Sequence, residues 1–175
     1  MPSPLSISVS DPTACSGIQA DLRTFALLGV RGTSVVSALS VQDSTRIHSV
    51  LPVFPSVVIE QIRVLLSDWT PDAVKVGMLA SDDVARGVQL GLASLEGRVP
   101  MVIDPVLVAH DGTVLLERRA WSTLKELIRG CQLVTPSLTE AEYLSGVECT
   151  NKKQCERALF RSNAKSLFKR SRVRL

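Results

Sequence analysis

Short apolar runs alternate with longer amphipathic segments along most of the chain. The runs have the length and composition of buried strands, and the segments between them place apolar residues at helical spacing. This pattern predicts strands near residues 7–9, 32–39, 73–76, 101–103 and 132–135, and helices near 16–28, 55–68, 81–95, 117–129 and 136–144. Alternating strands and helices of this length indicate right-handed βαβ units. We therefore expect a three-layer α/β/α fold around a mostly parallel central sheet.

Polar residues and glycines follow several predicted strands at the point where each strand ends. In open α/β sheets, ligands bind beyond the carboxyl ends of the strands. The predicted site is consequently this edge of the sheet, where the chain places Ser10, Asp11, Gln42, Gly77, Met78, Asp104, Pro105 and the segment 135–140.

The composition is that of a globular protein with an aliphatic core. Of the 175 residues 45% are hydrophobic and only 4% aromatic, which favours an α/β sheet within one domain. No apolar run is long enough for a membrane helix, and residues 1–7 contain no Lys or Arg, so we expect a cytoplasmic protein without a membrane partner. The four cysteines form no C-x-x-C pair, which argues against a zinc site.

Charge is distributed unevenly between the two ends of the chain. Residues 1–151 contain 11 basic and 16 acidic residues, a net charge of −5, whereas residues 152–175 contain 9 basic and 1 acidic, a net charge of +8. We therefore divide the chain into residues 1–150 and a basic tail, 151–175. The tail contains few aromatic residues and no known binding motif, so we expect no nucleic-acid partner.

Five motifs in order resemble one enzyme family. The segment 10–24, SDPTACSGIQADLRT, is similar to the GSDPSGGAGIQADLKT signature of hydroxymethylpyrimidine/phosphomethylpyrimidine kinases. SALSVQDS, KVGML, VIDPVLVAHDG and TPSLTEAEYL follow at compatible spacing, and together the five motifs extend to about residue 150. The resemblance implies a ribokinase-like fold and a role in thiamine biosynthesis.

In that family, ATP and Mg²⁺ serve to phosphorylate 4-amino-5-hydroxymethyl-2-methylpyrimidine and then its monophosphate. By resemblance, residues 1–150 are the substrate-binding part of such a kinase, and a homodimer is compatible with it. Two alternatives stay open: a vitamin B6 kinase of the same superfamily, and a non-catalytic fragment that keeps part of the pocket.

The resemblance assigns substrate binding to Asp21, Gln42, Met78 and Val106. An amide can hydrogen-bond the edge of an aminopyrimidine as donor and acceptor, while Met and Val can contact the ring faces. On the residues alone, each has an ordinary explanation as well. Gln42 suits an exposed loop, Asp21 suits the first half of a helix, and the two apolar residues suit a core.

The resemblance assigns magnesium and phosphate binding to Asp104 and Glu140, since hard cations take carboxylate oxygens. The chain departs from the family at three places. Ser137 replaces an Asn, Val9 replaces a Gly, and residues 14–16 replace a Gly-Gly-Ala run. We expect the side chains in the first loop, above all Val9, to weaken substrate binding.

The family's catalytic Gly-Thr-Gly-Cys loop does not occur in the sequence, and neither does a P-loop motif. We therefore expect a fold truncated at its carboxyl end and assign no catalytic residue to this chain. Residues 164–169, AKSLFK, lie where the next strand is expected but continue into a run rich in Arg. A frameshift in the gene is our hypothesis for this divergence.

Overall fold

The computed structural model describes residues 1–109 and 112–148, and the backbone of residues 165 and 166. Within these residues the chain forms one seven-stranded sheet in the order β3-β2-β1-β4-β5-β6-β7. The strands are β1 (Leu5–Ser10), β2 (Thr33–Gln42), β3 (Ile47–Pro52), β4 (Val74–Val76), β5 (Met101–Ile103), β6 (Leu133–Val134) and β7 (Lys165–Ser166). All neighbouring pairs are parallel except β2 and β3, which are antiparallel.

Five α-helices connect the strands in the described ranges. They are α1 (Gly17–Leu27), α2 (Pro55–Asp68), α3 (Asp82–Leu92), α4 (Trp121–Arg129) and α5 (Leu138–Ser145). Short 3-10 turns extend α3 and precede α4, at Ala93–Leu95 and Arg118–Ala120. None of these helices is long and apolar enough to cross a bilayer.

The sheet has one apolar face and one more polar face. Because side chains alternate along a strand, the buried Leu5 and Ile7 point to one face and Ser6 points to the other. The apolar face forms the main core with buried residues of the helices, among them Val58, Ile62, Val84, Val88, Leu124 and Leu144. These belong to α2–α5, and α1 covers the polar face, as its contact with Ser6 shows. The three-layer prediction is confirmed.

The edge strand β3 was not predicted. A polar loop containing Gln42, Asp43 and Ser44 was expected after β2, with no further strand before α2, whereas Ile47–Pro52 pairs with β2 as a hairpin. Its sequence, Ile-His-Ser-Val-Leu-Pro, contains both polar and apolar residues. Because β3 is a largely exposed edge strand, it lacks the continuous apolar run that is typical of a buried strand. Gln42 consequently ends a strand instead of lying in a loop.

The remaining predicted elements occur with boundaries shifted by a few residues. The prediction of a further strand near residues 164–169 agrees with β7, which pairs in parallel with β6. The division at residue 150 and most of the basic tail lie outside the described residues.

Candidate functional site

The loop after β1 is organised by the buried carboxylate of Asp11. This carboxylate accepts hydrogen bonds from the backbone N–H and hydroxyl groups of Thr13 and Ser16, at 2.7 to 2.9 Å. The backbone N–H of Asp11 donates to Oε1 of Gln19, 2.9 Å away, which fastens the loop to α1. Burial raises the pKa of Asp11, but the hydrogen bonds from Ser16 and Thr13 outweigh it and hold the pKa below its ordinary value. The loop is therefore built around an ionised acid.

Two residues of this loop adopt left-handed backbone conformations. Gly17 has φ of +61°, and a Cβ at this position would collide with the carbonyl oxygen of Val9. Ala14, where the family signature has glycine, has φ of +57°. Non-glycine residues in this region carry a steric cost of roughly 1–2 kcal/mol, so Ala14 introduces strain into the loop.

Met78 and Val106 lie in one apolar cluster at the carboxyl edge. The buried members of this edge cluster are Val9, Ala38, Met78 and Leu115, and the half-buried residues packed against them are Ile47, Val50, Ala80, Val106 and Ala109. The backbone of Met78 is fixed on both sides, since its N–H donates to Oγ of Ser8 and its carbonyl accepts from Oγ of Ser37. The structure thus brings together two of the predicted substrate-binding residues.

Val9 occupies the interior of the edge cluster. Its side chain is 5% exposed and packs with Met78 and Ala38. The β1–β2 register also shifts between Ser8 and Val9, which leaves Ser37 of β2 as the extra residue. The isopropyl group therefore fills space at the edge where the family signature has only glycine, but the effect on substrate affinity stays a prediction.

Gln42 is the last residue of β2 and is half-buried opposite Ile47. Residues that face each other across an antiparallel pair point to the same side of the sheet. Since Ile47 packs on the edge cluster, Gln42 is on the cluster's side as well. Its amide makes no hydrogen bond with any residue in the described ranges, which leaves a donor and an acceptor for a ligand.

A cavity of about 220 Å³ adjoins the edge cluster. Its walls are β3 and the loop at residues 113–115, and it shares Ile47, Val50, Ala80 and Leu115 with the cluster. Drug-sized ligands occupy roughly 300–1,000 Å³, so this cavity suits one small ring with short substituents. The residues of β3 were not predicted to belong to the site because no strand was expected there, although the apolar Ile47, Val50 and Leu51 before Pro52 are compatible with a short strand.

Asp21 is not part of the apolar edge cluster. Its carboxylate accepts from Oγ of Ser6 at 2.6 Å and from Nζ of Lys75 at 2.7 and 2.8 Å. Ser6 is four residues before the end of β1, which is about 13 Å along the strand, and it points to the polar face. The structure therefore places Asp21 beneath α1 on the polar face, and its partner Lys75 extends towards Gly77, where a Cβ would lie 3.4 Å from Nζ. The role of Asp21 in substrate binding stays a prediction.

Asp104 and Glu140 both lie beyond the carboxyl ends of β5 and β6. Asp104 accepts from Oγ1 of Thr135 at 3.3 Å. Glu140 is 5% exposed, and its carboxylate accepts from the backbone N–H groups of Ser137 and Leu107, at 2.7 and 3.4 Å. The two predicted residues therefore lie at the same edge of the sheet. The hydrogen bond between Leu107 and Glu140 also links the loop after β5 to α5.

Ser137 caps α5. Its Oγ accepts from the backbone N–H of Glu140 at 3.2 Å, while the Glu140 carboxylate accepts from the backbone N–H of Ser137. This reciprocal pair is a capping box. The serine that replaces the family's asparagine thus performs a structural role that asparagine performs equally well.

Other features of the described residues give weaker evidence of a functional site. Within the described ranges, no three His, Cys, Asp or Glu side chains are grouped as metal ligands. The thiol of Cys131 is buried, and burial raises its pKa to about 11, so it is not a nucleophile. A groove of about 650 Å³ runs along α2, away from the carboxyl edge. Its Glu60 accepts a hydrogen bond from Arg63, and its Gln61 hydrogen-bonds the backbone of Val36.

The chain is similar to known kinases. It matches the family model described as phosphomethylpyrimidine kinase over residues 11–168. A hydroxymethylpyrimidine/phosphomethylpyrimidine kinase from Aquifex aeolicus is 35% identical over 94% of this chain and 66% of its own length. The corresponding kinase from Bacillus subtilis is 38% identical over 82% of this chain and 53% of its own length. The chain thus spans about half to two thirds of the length of these two relatives.

Solved structures share the fold. The phosphomethylpyrimidine kinase of Clostridium difficile superposes with a TM-score of 0.88 at 29% identity, covering 99% of this chain and 77% of that one. The pyridoxal kinase of Staphylococcus aureus, in complex with pyridoxal, superposes with a TM-score of 0.84 at 28% identity, covering 98% of this chain and 64% of that one. Both similarities extend over nearly the whole of this chain.

Proposed function

Since the chain belongs to the phosphomethylpyrimidine kinase family, we propose that it binds 4-amino-5-hydroxymethyl-2-methylpyrimidine and its monophosphate. The observation that carries this proposal is the grouping of Met78 and Val106 in the edge cluster, beside the cavity and on the side of Gln42. Apolar side chains contact the ring faces, and the amide of Gln42 hydrogen-bonds the ring edge.

The proposed reaction is transfer of the γ-phosphoryl group of ATP to the hydroxymethyl oxygen. Magnesium is usually held by one or two carboxylates together with substrate phosphates, and Asp104 and Glu140 supply that donor set. Asp104 is half-buried, so it is the more accessible of the two for a metal-bound water. We assign no catalytic base to this chain.

Isothermal titration calorimetry with the aminopyrimidine alcohol tests binding directly. Gln42→Ala removes both ring-edge hydrogen bonds and should lower affinity about tenfold or more. Gln89→Ala, on the second half of α3 and away from the carboxyl edge, is the matched control and should bind like the unmodified chain. Equal affinity of the Gln42 and Gln89 variants would count against the site.

A vitamin B6 kinase is the second candidate, because the Staphylococcus aureus pyridoxal kinase shares this fold. Both substrates present a hydroxymethyl group on a nitrogen heteroaromatic ring. Competition between pyridoxal and the aminopyrimidine, followed by calorimetry, separates them. We expect the aminopyrimidine to bind more tightly; tighter binding of pyridoxal assigns the site to the B6 vitamers.

A phosphoryl-transfer assay with magnesium and ATP distinguishes an active kinase from a non-catalytic binding fragment. We expect binding without robust turnover, because the sequence contains no Gly-Thr-Gly-Cys loop to stabilise the transition-state charge. Robust turnover by this chain contradicts the view that such a loop is essential. The predicted homodimer is a separate question, which sedimentation velocity addresses.

A further inference from the structure

Ser37 is the extra residue of a bulge in β2. The pairing of β1 with β2 passes from Val36 directly to Ala38, so Ser37 has no partner on β1. A bulge redirects the side chain of the extra residue, and bulges are frequent beside active sites. Ser37 is completely buried, and its hydroxyl is directed at the loop after β4.

The hydroxyl of Ser37 donates a hydrogen bond to the backbone carbonyl of Met78, at 2.6 Å. In the sheet, β1 lies between β2 and β4, and Met78 comes two residues after the end of β4. The Met78 carbonyl can reach Ser37 only because the backbone leaves the line of β4 and turns over β1. The bond thus connects segments of two strands that are not neighbours, and it fixes Met78 at the carboxyl edge.

A second hydroxyl holds the other polar group of the Met78 backbone. The N–H of Met78 donates to Oγ of Ser8, at 3.2 Å, and Ser8 is buried as well. The preceding Gly77 permits this approach, because a Cβ there would collide with Oγ of Ser8. Both polar backbone groups of Met78 are therefore satisfied by serine side chains in a buried environment, where an unpaired group is costly.

The two hydroxyls fix the point from which the Met78 side chain extends. A methionine side chain has three rotatable bonds and adapts its shape to its surroundings. Its position therefore depends on a fixed backbone and on packing, and Met78 is 5% exposed among the apolar residues of the edge cluster. A side chain that is held in place before a ligand arrives loses less entropy when the ligand binds.

We propose that Ser37 and Ser8 are positioning residues, which hold Met78 where its side chain meets the face of the aminopyrimidine ring. This inference rests on the proposed function, in which Met78 contacts the ring. Both serines act through the backbone of Met78, so their removal weakens binding only while the Met78 side chain is present. That dependence separates positioning from a general contribution to stability.

A double-mutant cycle measures this dependence. Calorimetry gives the affinity for 4-amino-5-hydroxymethyl-2-methylpyrimidine of the unmodified chain, Ser37→Ala, Met78→Ala and the double variant. Ser8→Ala, which removes the acceptor for the Met78 N–H, allows a second cycle. Circular dichroism establishes that each variant is folded at the temperature of the titration. Ser37→Cys keeps a weak donor in a side chain of similar shape, and it replaces Ser37→Ala in the cycle if alanine prevents folding.

Thr33→Val is the matched control. Thr33 is the first residue of β2, and its hydroxyl also donates to a backbone carbonyl, that of Pro4, at 3.3 Å. Valine has the shape of threonine without the hydroxyl. The variant therefore removes the same kind of hydrogen bond from the same strand, at the end away from the carboxyl edge, and it should bind the ligand like the unmodified chain.

We expect Met78→Ala to lower the affinity about tenfold, and Ser37→Ala or Ser8→Ala to lower it about threefold. Ser37→Cys should lower it less than Ser37→Ala. In the Met78→Ala background, loss of either hydroxyl should have no further effect, so that each double variant binds like Met78→Ala alone.

Additive losses, in which a serine variant weakens binding equally with and without the Met78 side chain, overturn the positioning role. Serine variants that bind like the unmodified chain, or a Thr33→Val variant that loses as much affinity as they do, overturn it too. In all these cases the proposed function stands. An unchanged affinity of Met78→Ala overturns this inference and the ring contact of Met78, while binding of the aminopyrimidine stands. Failure of the unmodified chain to bind overturns the proposed function and this inference together.

Discussion

Lys75 and Asp21, which are 54 residues apart in sequence, form an ion pair between β4 and α1. Nζ of Lys75 contacts both carboxylate oxygens of Asp21, at 2.7 and 2.8 Å, and both side chains are mostly buried, at 27% and 17% exposure. The Ser6 hydroxyl completes the contact from β1. The pair therefore joins the first helix to the two central strands.

Asp21→Asn should destabilise the fold. The change leaves the Lys75 ammonium without its counter-charge, and we expect a loss of about 2–3 kcal/mol in the free energy of unfolding, measured with urea. Asp68→Asn, an exposed acid at the end of α2, is the control and should have little effect. A large loss of aminopyrimidine affinity with little loss of stability would instead support a direct contact between Asp21 and the substrate.

Ala14→Gly and Ala80→Gly should each stabilise the protein. The two alanines have φ of +57° and +68°, where a Cβ is strained and glycine is not. Relief of strain exceeds the extra entropy of glycine in the unfolded chain, so a gain of about 0.5–1 kcal/mol is expected for each. Thermal unfolding measures it. Ala26→Gly is the control: this residue lies within α1, where glycine should lower stability by about 1 kcal/mol. A loss of stability at all three positions would refute the strain at Ala14 and Ala80.

The capping box of α5 predicts that two substitutions of Ser137 differ in their effect on stability. Ser137→Ala removes the acceptor for the Glu140 N–H and should cost about 1 kcal/mol, measured by chemical denaturation. Ser137→Asn restores the residue of the family motif and should keep stability close to that of the unmodified chain, because asparagine caps helices as well as serine. If Ser137→Asn is as destabilising as Ser137→Ala, the serine has another role at this position.

Acidification should destabilise the protein through Asp11. Because its folded-state pKa lies below the unfolded value of about 3.9, the ionised carboxylate contributes stability above that pH. This contribution is lost as the pH falls through the folded pKa. Urea unfolding between about pH 6 and pH 3 should show a fall in stability that is shallower in Asp11→Asn. If the free energy of unfolding falls equally with pH in the unmodified chain and in Asp11→Asn, Asp11 is not the source of the acid sensitivity.

Part of the candidate site is placed at one edge by the sequence, because its residues follow strand ends. Met78 directly follows Gly77 after β4, and Val106 comes shortly after β5. The carboxyl ends of parallel strands meet at one edge, so residues far apart in sequence are predicted to be neighbours. The S-x-x-E spacing of Ser137 and Glu140 was also visible as a capping signature, although both residues had been interpreted through phosphate chemistry.

The sequence by itself determined the alternation of strands and helices, except for β3, and the three-layer fold, and it predicted the edge at which a ligand is expected, because apolar periodicity is a local property of the chain. Only the tertiary structure decided that Asp21 pairs with Lys75 and that β3 closes a cavity beside the edge cluster. Those features depend on strand register and on contacts between distant segments. A one-residue shift in register reverses the direction of a side chain, and no local pattern in the sequence records it.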